Sequence, residues 1–315
     1  MNIRLTACAV AILAVTADAT YAQEYPAKTI RIVTSPIGGG NDFPARLIAA
    51  ALTGPLGQQI VVDNRPTVLI ADIVAKSPPD GYTLLLSGSA HWIGPLVEKV
   101  NYDPIRDFAA LTLVDRSPNV LVVHPSLPAK NVMEMVAIAK ARPGELNVAV
   151  GGPGSSNYVA AVLFSHMAGI TITRIPYKGN APAITALLSG EVQVMFSSAG
   201  AVAPHMQSGR LRALGVSSPK PSPFAPGVPS IASAGVPGYV SEVLHAMFAP
   251  AKTPPAIVGK LNAEIGRYLR GQQAKDIFIK AGIEPSPSTP EELVEIINAE
   301  TARLGKVMKA AGAGR

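Results

Sequence analysis

The chain has 315 residues, of which 48% are hydrophobic and 15% are charged, so it contains enough apolar material for more than one folded unit. The formal net charge is +6, but the sequence has no block of like charges and no basic stripe interleaved with aromatic residues. Nucleic-acid binding is therefore not expected, whereas a small anionic ligand is compatible with the charge.

The N-terminal segment, residues 1–22, has the three-part layout of a secretory signal peptide. One basic residue precedes an apolar run from Leu5 to Val15, and small residues lead to Ala22. The run is shorter than the roughly 20 residues that a spanning helix needs. We expect cleavage after Ala22 and an exported, periplasmic protein. The chain's one cysteine, Cys8, lies in this segment, so the mature chain would have neither disulfides nor cysteine-based chemistry.

The first third of the mature chain alternates short β-branched runs with helical patterns. The predicted strands are 29–34, 59–63 and 82–87, and the predicted helices are 43–52 and 69–76. This rhythm is typical of a mostly parallel sheet flanked by helices. A long apolar stretch, 111–123, then carries the chain onward.

The same rhythm restarts after residue 128. Predicted helices are 131–140, 156–167, 181–188 and 203–207, and predicted strands are 146–150, 171–175, 192–196 and 211–216. A stretch rich in Pro, Ser and Gly, 218–238, follows as an irregular connection. A second α/β unit is therefore predicted.

The chain is predicted to end with one strand and three helices, at 244–249, 255–269, 274–281 and 290–311. These elements have no complete sheet of their own, so we expect them to return to the first unit. The prediction is a discontinuous domain 1, residues 23–124 and 236–315, and a domain 2, residues 125–235. Clefts between two such domains commonly bind ligands.

Two glycine-rich loops, 35–42 and 151–157, each follow a predicted strand and open a predicted helix, one in each domain. Glycine allows a close backbone approach, and helix N-termini attract anions through unpaired N–H groups. Asp42 is predicted to cap the first of these helices. The predicted ligand-binding residues of these loops are Ser35, Ile37, Gly38, Gly39, Gly40, Asn41, Asp42, Gly152, Gly154, Ser155, Ser156 and Asn157. If each sheet presents its carboxyl edge to the cleft, the two loops face each other, and such a pair favours anion binding.

Small polar residues also end other predicted strands. We add Ser87, Ser89, Tyr177, Ser197 and Ser198 to the predicted site. Aromatic residues make up only 5% of the chain, so a stacking platform for a sugar is not evident. Hydroxyl and main-chain donors of this kind favour a small carboxylate.

Motifs for catalysis and cofactors are not found in the sequence. The glycine loops do not match GxGxxG or GxxxxGK[ST], the five histidines do not have HExxH spacing, and no GxSxG occurs. We therefore predict no catalytic residue, metal or cofactor. Two alternatives stay open: an exported serine hydrolase using Ser155 or Ser198, and a membrane-surface adaptor without a ligand.

Short motifs along nearly the whole mature chain are similar to those of the Bug proteins, the periplasmic solute-binding proteins of the tripartite tricarboxylate transporter family. They are Tyr25-Pro26, Ile30-Arg31, Gly38-Gly39-Gly40 with Asp42, Ala45-Arg46, Leu56-Gly57-Gln58, Asp63-Asn64-Arg65, Val74-Ala75-Lys76, Pro79-Asp80-Gly81-Tyr82-Thr83, Tyr102-Asp103-Pro104, Asp107-Phe108, Gly154-Ser155, Pro176-Tyr177-Lys178-Gly179, Gly209-Arg210-Leu211-Arg212, Pro237-Gly238-Tyr239, Phe248-Ala249-Pro250 and Thr289-Pro290.

This resemblance implies a type II periplasmic-binding-protein fold, α/β in class, that holds a di- or tricarboxylate, an amino acid or an aromatic acid between two domains. It implies that main-chain groups and ordered waters of the two glycine loops bind the acid, and that the usual role is delivery to a two-component membrane permease. We expect the protein to be a monomer. Some members of the family serve in sensing instead. Two departures from the family are the segment 66–69, where a glycine-rich loop is usual, and Tyr158, where a histidine is frequent.

Overall fold

The computed structural model describes residues 25–311. The predicted signal peptide and Cys8 lie outside this range. Within residues 25–311, no helix has the length and apolar character needed to cross a membrane.

The first part of the described chain alternates strands and helices as the sequence predicts. The elements are β1 (Ile30–Thr34), α1 (Asp42–Leu56), β2 (Ile60–Asn64), α2 (Thr67–Ala75), β3 (Thr83–Gly88), α3 (Ala90–Val97) and the long strand β4 (Phe108–Val123). Strand β1 is nearly fully buried because helices cover both faces of the sheet, which explains why its residues other than Arg31 are all β-branched.

The middle of the chain repeats this alternation. Its elements are α4 (Val132–Ala141), β5 (Asn147–Val150), α5 (Ser156–Ala168), β6 (Thr173–Pro176), α6 (Asn180–Ser189), β7 (Val194–Ser198), α7 (Ala199–Gln207) and β8 (Arg212–Val216). Helices α5 and α6 end at Gly169 and Gly190, both in the left-handed conformation that glycine adopts without strain.

The last part contains β9 (Glu242–Pro250), α8 (Pro255–Arg270), α9 (Gln272–Lys280), β10 (Glu284–Pro285) and α10 (Pro290–Ala310). The predicted start of α10 is confirmed by a capping box, in which Thr289 and Glu292 each accept a hydrogen bond from the other's backbone N–H. Strand β9 pairs with β3 and so lies in the same sheet as β1–β3. Helix α10 contacts both α3 and α5 and so bridges the two units.

Strand β4 passes through two groups of strands. Its residues 108–118 pair with β9, and its residues 119–123 pair with β7 and β8. We call β1–β3, β9 and residues 108–118 the first lobe, and β5–β8 and residues 119–123 the second lobe. The predicted domain boundary at residue 124 stays a prediction. Along β4, the pairing partner changes from β9 to β7 between Pro118 and Asn119.

Two elements were missed by the sequence patterns. Helix α3 contains Gly94 and Pro95, both poor helix formers, and it is held in place because His91, Trp92 and Ile93 are buried in the core. Strand β10 has only two residues, which pair with β4. Both elements depend on tertiary packing rather than on local propensity.

Candidate functional site

The strand directions bring two sheet edges to face each other. Strands β1–β3 run parallel to one another, and β3 and β4 are both antiparallel to β9, so β4 leaves the first lobe in the direction of their carboxyl ends. Strands β5 and β6 run parallel to β7, which is antiparallel to β4, so their carboxyl ends point back toward the first lobe. The loops that follow these strands therefore border one cleft, as open α/β sheets favour.

The floor of this cleft is short. His245 on β9 pairs both with Gly88, the last residue of β3, and with Asp115 on β4, so Asp115 lies level with the end of β3. Farther along β4, Asn119 pairs with Ser198, the last residue of β7. These two positions are four residues apart along the strand, which corresponds to about 13 Å. The cleft therefore suits a small molecule.

The first loop, residues 35–42, is held in shape by Asp42. Its carboxylate accepts hydrogen bonds from Gly38 N (3.0 Å), Arg46 Nε (3.1 Å) and Asn64 Nδ2 (2.8 Å). Asn64 Nδ2 also donates to the Ser35 carbonyl at 2.7 Å. Burial alone would raise the pKa of Asp42, but these donors outweigh it and hold the pKa below its usual value.

The cap predicted at Asp42 is wrong in detail. Helix α1 begins at Asp42 itself, and the capping position is Asn41, which makes no side-chain capping bond. The Asp42 side chain turns back to the glycine loop instead, because Gly38 with φ of 76° presents its N–H group to the carboxylate. Asp42 therefore organises the loop.

Several amides of the first loop point to no acceptor within the chain. Gly38 N is bonded to Asp42, and Gly39 N is bonded to the Pro36 carbonyl at 2.9 Å. The amides of Ile37, Gly40 and Asn41 have no hydrogen-bond acceptor among residues 25–311. The side chain of Ile37 is 77% exposed. The free donors stand at the positive end of α1, where an anion is favoured.

The second loop, residues 151–157, has a similar arrangement around Asn157. Its Oδ1 accepts from Gly151 N (3.0 Å), Ser155 Oγ (2.7 Å) and Tyr158 N (2.9 Å). The Ser155 amide donates to the Gly152 carbonyl at 3.1 Å. Within the described part of the chain, the amides of Gly152, Gly154, Ser156 and Asn157 find no acceptor. A second set of anion donors results.

Gly154 brings the second loop against helix α3, which follows β3 of the first lobe. Its φ is 76°, and a Cβ on this residue would lie 2.9 Å from both Cα and N of Gly94 on α3. Only a residue without a side chain allows this approach. The predicted ligand residue Gly154 is thus also a contact between the lobes.

The other predicted residues lie at the expected strand ends, with different exposures. Ser87 and Ser89 are 2% and 5% exposed, and Ser89 occupies the capping position of α3. Ser197 Oγ accepts from Asn180 Nδ2 at 3.2 Å, and Ser198 precedes α7. The Tyr177 hydroxyl donates to Glu191 Oε1 at 2.7 Å, and burial together with this acceptor raises the pKa of Tyr177 to about 12. The Tyr177 hydroxyl is therefore already engaged.

Three polar residues near the cleft were not predicted from the sequence: His245, Asp115 and Asn119. His245 on β9 donates through Nδ1 to Asp115 Oδ1 at 2.7 Å. Asp115 Oδ2 and Asn119 Nδ2 are buried and have no hydrogen-bond partner among residues 25–311. The same is true of Ser35 Oγ in the first loop. The one signal available in the sequence was a histidine inside an otherwise apolar strand, 244–249.

Comparison with known proteins identifies the family. The model of the tripartite tricarboxylate transporter family receptor matches residues 44–313. The chain belongs to this family.

Relatives of known name or structure agree with this assignment. The receptor is 37% identical to protein BugT of Bordetella pertussis over 299 residues, which cover 93% of this chain and 92% of BugT. An R. palustris protein solved with adipate is 36% identical, with a TM-score of 0.86 over 92% of this chain and 99% of its own. MatC from Rhodopseudomonas palustris, solved with malate, is 30% identical, with a TM-score of 0.82 over 90% and 99%. The predicted fold class is therefore confirmed.

The segment 66–69, expected to differ from the family, forms the capping residue and the first turn of α2 in this receptor. Asn64, two residues before it, donates hydrogen bonds to the Ser35 carbonyl and to the Asp42 carboxylate of the first loop. Val68 and Leu69 are 73% and 48% exposed. The first loop is thus held on this side by the Asn64 side chain.

Replacement of Asp42 by alanine should destabilise the receptor through its first loop. Loss of the charged hydrogen bonds to Gly38, Arg46 and Asn64 is expected to lower the free energy of unfolding at pH 7 by about 1.5–3 kcal/mol. Because the pKa of Asp42 is lowered in the fold, the contribution is present above its usual value near 3.8 and decreases as the pH falls further. Urea unfolding at pH 7 and pH 3 measures both effects.

Asp72→Ala is the matched control for this experiment. Asp72 and Lys76 form another i,i+4 ion pair, at 2.8 Å, but Asp72 makes no hydrogen bond to a glycine loop within the described residues. Its removal should change the free energy of unfolding by about 0.5 kcal/mol. Equal effects of the two variants would show that Asp42 does not organise the first loop.

Proposed function

We propose that the chain is a periplasmic receptor that captures a small carboxylate in the cleft between its two lobes and performs no chemistry on it. The observation that carries the proposal is the pair of loops with unbonded amides, at Ile37, Gly40 and Asn41 in one lobe and at Gly152, Gly154 and Ser156 in the other. Amides at helix N-termini bind carboxylates without needing a basic side chain.

The relatives support a carboxylate as the ligand. Similar proteins were solved with adipate and with malate, both dicarboxylates. In this chain, Ser35, Ser87, Ser89, Ser197 and Ser198 supply further neutral donors around the same cleft. Export through the segment 1–22, a monomeric state and delivery to a two-component membrane permease belong to the same proposal. Sensing without a permease is the alternative role for the same binding event.

The hydrolase alternative has less support. Ser155 Oγ donates to Asn157, and neither Ser155 nor Ser198 has a histidine as a hydrogen-bond partner within the described residues. A serine nucleophile needs an adjacent base. The structural arrangement thus favours binding over acyl transfer.

A thermal-shift screen tests the proposed function. Malate, succinate and adipate are compared with the matched diamides, which lack the negative charge. A ligand present at about 100 Kd should add about 2.7 kcal/mol of stability and raise the melting temperature by about 4–5 °C. The diamides should produce no shift. A response to sugars or diamides without any response to carboxylates would refute the proposal.

A further inference from the structure

A buried histidine and aspartate lie behind the first loop. His245 on β9 and Asp115 on β4 are register partners, and Nδ1 of the imidazole lies 2.7 Å from Oδ1 of the carboxylate. Their side chains are 7% and 0% exposed. The bond fixes the orientation of the ring, so that Nδ1 faces Asp115 and Nε2 faces the opposite way.

The free nitrogen of this ring faces the glycine loop. Nε2 of His245 lies 3.5 Å from the point where a Cβ of Gly40 would stand, and Cδ2 lies 3.4 Å from the corresponding point on Gly88. Within residues 25–311, Nε2 has no hydrogen-bond partner. The Gly40 amide is also unbonded. The space between His245 Nε2 and Gly40 is therefore bordered by a free imidazole nitrogen and by a residue whose amide is also free.

The charged groups around this space are otherwise engaged. Asp115 is the titratable side chain in contact with His245 from β4, and β3 contributes none, since its residues are Thr83–Gly88. In the loop, Asp42 is bonded to Gly38, Arg46 and Asn64. On β4 and β9, Arg116 and Glu242 form a pair with each other at 3.7 Å. On α3, His91 packs among the rings of Tyr102, Phe108 and Phe248.

The protonation state of His245 decides what Nε2 offers to a ligand. With Nδ1–H donating to Asp115, a neutral ring presents a lone pair at Nε2, which repels a carboxylate. A protonated ring presents an N–H donor and a positive charge, balanced by Asp115 behind it. Asp115 Oδ2 is buried without a partner, so this carboxylate retains unused capacity to stabilise the imidazolium.

We propose that His245 is a ligand-binding residue that holds the carboxylate of the ligand as an imidazolium, with Asp115 as its positioning residue, so that binding takes up a proton. The inference rests on the proposed function and deepens it, because it assigns to the receptor a charged contact beyond the loop amides. The ligand would be bound as the anion, with Gly40 N–H and His245 Nε2–H as neighbouring donors.

Calorimetry on the wild-type receptor tests the proton uptake. Succinate, malate and adipate are titrated between pH 6 and pH 8.5, each in two buffers of different ionisation enthalpy. We expect Kd to weaken with rising pH, by up to tenfold per pH unit, and the proton uptake on binding to approach one at the high end. A Kd that is constant over this range, without buffer-dependent enthalpy, would overturn the role of His245 and leave the proposed function standing. Failure of all three acids to bind would overturn both.

Variants show whether His245 is the group that takes up the proton. His245→Gln should weaken binding at pH 6 by roughly 10- to 100-fold, the range for a charge-assisted hydrogen bond, and should abolish the proton uptake. Asp115→Asn keeps an acceptor for Nδ1 and should reduce the proton uptake, an effect that a merely structural role would not produce. His166→Gln, at an exposed position of α5, is the matched control and should leave both quantities unchanged. Wild-type proton uptake in His245→Gln would overturn the inference.

Discussion

Replacement of Gly154 by alanine is expected to weaken carboxylate binding by roughly 10- to 100-fold. The residue has φ of 76°, and an added Cβ would meet the backbone of Gly94 on α3 at 2.9 Å. Strain of this kind is worth about 1–3 kcal/mol, and each 1.4 kcal/mol corresponds to about tenfold in Kd. The loop would have to move away from the first lobe, and its amides would move with it. Calorimetric titration of the acid that gives the largest thermal shift measures the effect.

Gly152 provides a matched control two residues away in the same loop. A Cβ on Gly152 would have no heavy atom within 4 Å, and its backbone lies outside the left-handed region. Gly152→Ala keeps the N–H donor and should change Kd by less than about threefold. Wild-type affinity in Gly154→Ala would show that the contact between Gly154 and Gly94 is absent from the state that binds the ligand.

Replacement of His91 by phenylalanine is expected to remove a large part of the receptor's acid sensitivity. His91 is 2% exposed and packs among Tyr102, Phe108 and Phe248, with ring centroids 4.5–5.2 Å away. Burial lowers the pKa of His91 from 6.5 to about 3, with the Pro104 carbonyl opposing the shift. Phenylalanine suits this aromatic surrounding and does not titrate.

The direction of the pH dependence follows from this lowered pKa. Below pH 6.5 the unfolded chain protonates His91 while the folded chain does not, so the free energy of unfolding falls as the pH falls. The loss amounts to about 1.4 kcal/mol per pH unit and reaches on the order of 4–5 kcal/mol near pH 3. Above pH 6.5, protonation of His91 therefore no longer lowers the free energy of unfolding.

Urea unfolding of wild type and His91→Phe at pH 7.5, 6, 5 and 4.5 measures this difference. The wild type should lose more stability over this range, and the gap between the two slopes should be about 1.4 kcal/mol per pH unit. Altered packing in the variant would shift both ends of the curve but not its slope. His166→Gln should retain the wild-type slope, and parallel curves for wild type and His91→Phe would contradict the prediction.

Much of the secondary structure follows from local patterns. The run of β-branched residues in β1, the cap of α10 at Thr289 and the alternation of strands and helices all depend on neighbouring residues, which a sequence displays directly. Helix α3 is an element that the local pattern did not predict. Gly94 and Pro95 weaken its pattern, and the helix is stabilised by burial of Trp92 and Ile93 in contacts that are distant in sequence.

The candidate site, too, was predictable from the sequence only in part. The sequence by itself determined that two glycine loops open helices in two α/β units, and its motifs indicated the family. Tertiary structure decided which amides are left free, because the side chains of Asp42 and Asn157 accept a hydrogen bond from the N–H group of the first glycine in each loop. It also brought together His245 and Asp115, which are 130 residues apart. Such contacts depend on strand order and register, which no local pattern encodes.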